Sequence, residues 1–121
     1  MKWIEGKWRG MFENKPFYEI YQLENDTTLK ITSYEWSGND TSKTSVDYLY
    51  WKRDGYYLGK QQNWKATTIT KNEIKMIPVN KASNEILWRR KDKKNWIAIL
   101  IYKNGTRTYN MEYFDPFKTN L

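Results

Sequence analysis

Turn-forming residues punctuate this chain at short, regular intervals, and that punctuation constrains its fold more than any other feature. Asn14-Lys15-Pro16, Asn25-Asp26, Asp54-Gly55, Lys71-Asn72 and Asn104-Gly105 separate runs rich in Trp, Tyr, Thr and Ile, the residues that fit a pleated, half-buried strand. Asp-Gly and Asn-Gly tolerate the positive φ that a type I′ hairpin turn demands. The runs read as strands over 7–13, 17–23, 28–36, 44–53, 56–59, 64–70, 73–79, 85–91, 96–103 and 106–114. The only helical piece expected is a short 3₁₀ turn within 1–5. The run Trp96–Tyr102 is apolar throughout, but its β-branched content and flanking Asn95 and Asn104-Gly105 favour strand over helix. About ten short strands joined by tight turns form a meander, and a twisted sheet of that size closes on itself because closure removes its edges. The expected fold is therefore all-β: a single domain over 1–121, built as a closed antiparallel up-and-down barrel of eight to ten strands.

Composition agrees. The chain has 121 residues, within the range of one domain. Its apolar share is 39%, but 7 Trp, 10 Tyr and 4 Phe can furnish a core that aliphatics usually supply. There is no Cys and no His, so disulfides, thiolate nucleophiles, imidazole catalysis and the usual zinc and haem ligands are all excluded. No cofactor and no metal is implied. The net charge of +7 favours anionic partners at low salt. No window is long and apolar enough to span a membrane. The N-terminal residues lack the apolar core of a signal peptide, so a cytoplasmic location is expected, with export if a signal has already been removed.

Two motifs point further. Trp3-Ile4-Glu5-Gly6-Lys7-Trp8 at one end and Arg107-Thr108-Tyr109 at the other resemble, respectively, the aromatic-x-x-Gly-x-Trp signature and the Arg-x-Tyr pair of the calycin superfamily. That superfamily includes the lipocalins and fatty-acid-binding proteins. The resemblance implies a ligand-binding barrel in which Gly6 lets the chain bend against one end and Trp8 plugs it. It also implies that a basic residue of the last strand, here Arg107, lies across the Trp8 ring. The connection at Asn14-Lys15-Pro16 is too short for the helical lid of fatty-acid-binding proteins, so a lidless variant is the nearer comparison. Loop closure then falls to Ser37–Lys43. Val46-Asp47-Tyr48 only faintly echoes the middle lipocalin signature.

Period-two alternation places Phe17, Glu19, Tyr21 and Leu23 on one face, read as the interior. Val46, Tyr48 and Tyr50, then Trp64, Ala66 and Thr68, then Ile86 and Trp88, form further inward faces. Arg107 and Tyr109 also share a face, and together they could hold a ligand carboxylate; end-sealing against Trp8 is the alternative. Glu19, if inside, needs a partner, and Arg107, Tyr48 or Tyr109 would serve; otherwise it lies outward beside a Lys. The expected ligand-binding set is Arg107, Tyr109, Glu19, Tyr48, Tyr21, Trp64 and Trp88, taking a small hydrophobic, amphipathic or weakly acidic molecule such as a lipid. The alternative is a barrel filled by these rings, with no room for a ligand.

Other classes were weighed. Catalysis would rest on carboxylates such as Glu19 and Glu35, and nothing marks that pair, so a non-enzyme is expected. Trp88-Arg89-Arg90-Lys91-Asp92-Lys93-Lys94 and Trp51-Lys52-Arg53 combine cations with an aromatic, the composition of a single-stranded nucleic-acid platform. A filled barrel acting as a protein-interaction module of inhibitor or immunity type is the related alternative. The apolar strand Trp96–Tyr102 needs a cover on its outer side, either Phe114–Phe117 or a second copy in a homodimer. Three Asn-x-Thr triplets, at Asn25, Asn39 and Asn104, match the glycosylation pattern but also suit turns.

Overall fold

The computed structural model describes residues 1–37 and 40–114. A 3₁₀ turn over Lys2–Ile4 leads into ten strands. These are β1 (Gly6–Phe12), β2 (Lys15–Asn25), β3 (Thr28–Ser37), β4 (Asp40–Lys52) and β5 (Gly55–Leu58), followed by β6 (Trp64–Ile69), β7 (Glu73–Pro78), β8 (Glu85–Asp92), β9 (Asn95–Tyr102) and β10 (Gly105–Tyr113). Every strand pairs antiparallel with its sequence neighbour, and β1 pairs with β10, so the sheet closes into a ten-stranded up-and-down barrel. No helix among the described residues is long and apolar enough to cross a membrane.

The turns fall where the punctuation puts them, with altered chemistry. Positive φ at two consecutive central residues occurs at Glu13-Asn14 (50° and 66°), which closes the β1–β2 hairpin. At the β4–β5 and β9–β10 hairpins the glycine is the first residue of the following strand rather than a central turn residue. Gly105 has φ 149°, and Arg53 instead carries the left-handed φ of the β4–β5 turn, at 57°. Ser37 and Asp40–Lys43 belong to strands β3 and β4 rather than to a loop. Of the expected closing loop, Gly38 and Asn39 lie outside the described residues.

The interior face follows from the register. Trp8 faces Glu19, Glu19 faces Ser33, Tyr21 faces Ile31, and Ile31 faces Asp47. Leu29 faces Leu49, which faces Leu58, which faces Trp64. Ile4, Leu29, Leu49, Ile74 and Met76 are completely buried, and Trp96 and Met111 nearly so. These apolar side chains supply the burial that holds the cylinder closed, at about 25 cal/mol per Å² removed from water.

Two inward faces differ from the alternation read in the sequence. On β4 the interior receives Asp47 and Leu49, while Val46, Tyr48 and Tyr50 stand opposite Thr32, Lys30 and Thr28 on the outer face. Bulk is a poor guide there, because aromatics decorate both faces. On β6 a register shift between Ala66 and Thr68 turns Thr68 toward Lys75 and brings Ile69 opposite Ile74, packed against the core. A bulge adds one residue and reverses the alternation beyond it.

Candidate ligand-binding site

One end of the barrel is sealed by aromatic rings. Trp96, 1% exposed, lies at the centre. Its ring meets Trp3, Trp8, Tyr21 and Trp88 at centroid separations of 6.2, 6.1, 5.5 and 5.9 Å, all steeply inclined or edge-on. Edge-to-face packing of this kind adds about 0.5–1.5 kcal/mol per pair beyond area burial. The Trp8 indole N–H donates to the Ile4 carbonyl at 2.8 Å, tying the plug to the 3₁₀ turn. Among the described residues the Trp96 N–H meets no hydrogen-bond acceptor. Gly6 has φ 147°, a conformation L side chains rarely adopt; a Cβ there would meet the Trp8 ring at an ordinary 3.5 Å, so conformation rather than crowding requires the glycine.

Trp8 is buried against Trp96 in this cluster, and Arg107 does not lie across its ring. Arg107 starts the opposite end of β10, fully exposed, with its guanidinium carbon 5.4 Å from the Phe12 ring centroid. It shares a face with Tyr109 and hydrogen-bonds to that side chain, which raises the guanidinium pKa. Tyr109 in turn packs on Phe12 and Phe17, at 6.2 and 5.7 Å. Phe17 crosses the wall at Gly10, where a Cβ would fall 2.3 Å from the Phe17 ring and 2.8 Å from the Met111 sulfur. Gly10 therefore makes room for Phe17 to lean inward, a role that period-two reading does not reveal.

Between the two ends lies Glu19. Its partners are not Arg107, Tyr48 or Tyr109. The Tyr21 hydroxyl donates to Glu19 Oε1 at 2.8 Å, and the Ser33 hydroxyl donates a long bond to Oε2 at 3.4 Å. Burial raises the Glu19 pKa above the ordinary carboxylate range, with the two hydroxyls opposing that shift. Tyr21 is pushed well above the usual phenol value by burial first, then by the charges of Glu19 and Asp47. Glu19 faces the interior, opposite Trp8 and Ser33, and is only partly buried.

The remaining candidates separate. Trp64 is half-buried and its indole N–H donates to the Asn84 carbonyl at 2.8 Å. Trp88 is buried against Tyr21 and Trp96, so it belongs to the seal and cannot head a base-stacking platform. Trp51 is 51% exposed and leans on Tyr56. Glu35 is exposed whereas Glu19 is enclosed, so that carboxylate pair does not share one enclosed environment. On the outside of β9, Ile97, Ile99 and Ile101 are half-exposed. Phe114 does not cover them: its ring packs on Tyr18 at 5.5 Å and under the Arg9 guanidinium at 4.5 Å, across β1 and β2. Residues 115–117 lie outside the described residues.

Among the described residues no group of three or more acidic side chains is placed to hold a metal ion. Asp47, Ser33, Phe17 and Ala98 are the inward-facing residues that sequence reading left out of the site. Only the register of β4 in the structure exposes Asp47, whereas Ala98 is legible as the small residue in an otherwise bulky β9. Compared with protein-family models, curated proteins and solved structures, the chain gives no match.

Proposed function

We propose that the barrel binds, without transforming, a small hydrophobic or weakly acidic molecule in its interior, in the manner of a lidless lipocalin-like protein. The observation that carries this reading is the partial exposure of Glu19 on the inward face of the wall. Small or half-buried inward side chains (Ala66, Ala98, Leu100, Trp64) offer an apolar wall for the ligand body. Glu19 and Ser33 accept or donate a hydrogen bond at its inner end. Arg107 and Tyr109, sharing a face at the unsealed end, hold a carboxylate there. Most of a lipid-like ligand would thus be dry, with a few polar groups fixing its orientation.

The test is displacement of a neutral fluorescent amine, N-phenyl-1-naphthylamine, by a medium-chain fatty acid and by the corresponding alcohol. Arg107→Ala is expected to weaken the acid about tenfold, the loss of one charge-assisted contact, while leaving the alcohol unchanged. Equal weakening of both, or no displacement by either, contradicts the reading.

A further inference from the structure

A second site lies outside the barrel bore, against the sealed end. There the 3₁₀ turn and the β6–β7 connection border an open, shallow cleft of about 580 Å³ whose lining includes Met1, Lys2, Trp3, Ile69, Lys71 and Arg90. Its volume falls in the range of small-molecule sites. Three of these side chains are cationic and no carboxylate lines the cleft. Among the described residues, Lys2, Lys71 and Arg90 pair with no acid, although the adjacent Arg89 is bridged to Glu73 at 3.2 Å.

The convergence is built rather than accidental to flexible chains. Arg90 stands opposite Trp96, so the alternation of β8 aims it toward the barrel axis just beyond Trp88. The register shift that follows it ends the regular pairing. Its backbone N–H donates to the Asn72 carbonyl at 2.8 Å, fixing it to the β6–β7 turn that carries Lys71. Trp3 is held too: its indole N–H donates to the Thr70 carbonyl at 3.2 Å and its ring packs edge-on to Trp96. The cleft therefore has a fixed aromatic wall and three unneutralised cations on the remaining sides. Three like charges gathered around one open cleft attract an anion, most strongly at low salt.

We propose that this cleft binds a small organic anion that carries a flat apolar body, its charged group set between Lys2, Lys71 and Arg90 and its body against Trp3 and Ile69. The site is independent of the bore. The probe is 1-naphthyl phosphate, followed by quenching of tryptophan fluorescence and by calorimetry at low and physiological salt. Saturable one-to-one binding is expected, tighter than for 1-naphthol or inorganic phosphate and weakened by salt. Lys71→Ala and Arg90→Ala should each cost about tenfold in affinity, Lys71→Arg should restore most of it, and Arg107→Ala should leave it unchanged. Binding of N-phenyl-1-naphthylamine in the bore should survive all the cleft variants, with thermal melts confirming that each variant is folded. The proposal is overturned if no saturable binding occurs at millimolar probe. It is equally overturned if 1-naphthol binds as tightly, or if Arg107→Ala weakens the phosphate as much as the cleft variants do.

Discussion

Glu19 is the residue on which the interior turns. A carboxyl group enclosed by protein and served by only two hydroxyl donors holds its proton to higher pH than in water. In the unfolded chain the same group ionises at about pH 4. Between that value and its raised value in the fold, the folded state binds the extra proton. Stability contributed at this site is thus fully present below the unfolded pKa and is lost as pH rises through the folded one. Glu19→Gln keeps an acceptor for Tyr21 and removes the ionisation. It is expected to raise the thermal midpoint at pH 7–8, to leave it nearly unchanged at pH 4, and to flatten the stability–pH curve between them. A midpoint that falls at pH 7 would show Glu19 to be a net stabilising anion. Sequence could place Glu19 inside, because its neighbours Phe17, Tyr21 and Leu23 set the face. It could not supply the partners: Arg107 seemed the natural counter-charge, yet hairpin register carries it to the far end of β10, and two hydroxyls on β2 and β3 act instead.

At the scale of elements, strands and turns were legible because Gly, Asn and Asp punctuate them, and all ten strands lie within a few residues of their expected bounds. Faces were less legible wherever a rule of two meets an exception. The bulge in β6 swaps Thr68 for Ile69, and on β4 the smaller Asp47 and Leu49 turn inward while Tyr48 and Tyr50 turn out. The 3₁₀ turn is an element whose size understates its effect. It carries Ile4, with no exposed surface, and offers the carbonyl that satisfies Trp8. Ile4→Ala is therefore expected to cost about 2–5 kcal/mol, the range for emptying a fully buried aliphatic site. Chemical denaturation would measure it, and a cost below 1 kcal/mol would mean that the turn only covers the barrel end without closing it.

Across the whole molecule the two ends of the cylinder differ in kind. At one, four aromatic rings interlock around Trp96 beneath the 3₁₀ turn; at the other, Phe12 and Phe17 pack on Tyr109, and the exposed Arg107 guanidinium lies over Phe12. The inward-facing, partly buried Glu19 lies between them. The β1–β10 seam that completes the wall is short, with Trp8 opposite Tyr113 and an Arg9–Glu112 ion pair outside it, and the Phe114 N–H adds a bond to the Lys7 carbonyl at 2.9 Å. A barrel closed at one end by rings, with two alanines and a partly buried Glu19 on its inner face, is expected to accept bulk in its middle if the proposed interior site exists. Ala98, inward on β9 opposite Trp88 and Tyr109, is the place to add it. Thermal unfolding and N-phenyl-1-naphthylamine binding should be measured together on Ala98→Trp. An unchanged melting temperature with loss of the dye is the predicted result, because the new ring occupies the ligand's space. A melting temperature lowered by many degrees, or dye binding that persists, would contradict a usable interior.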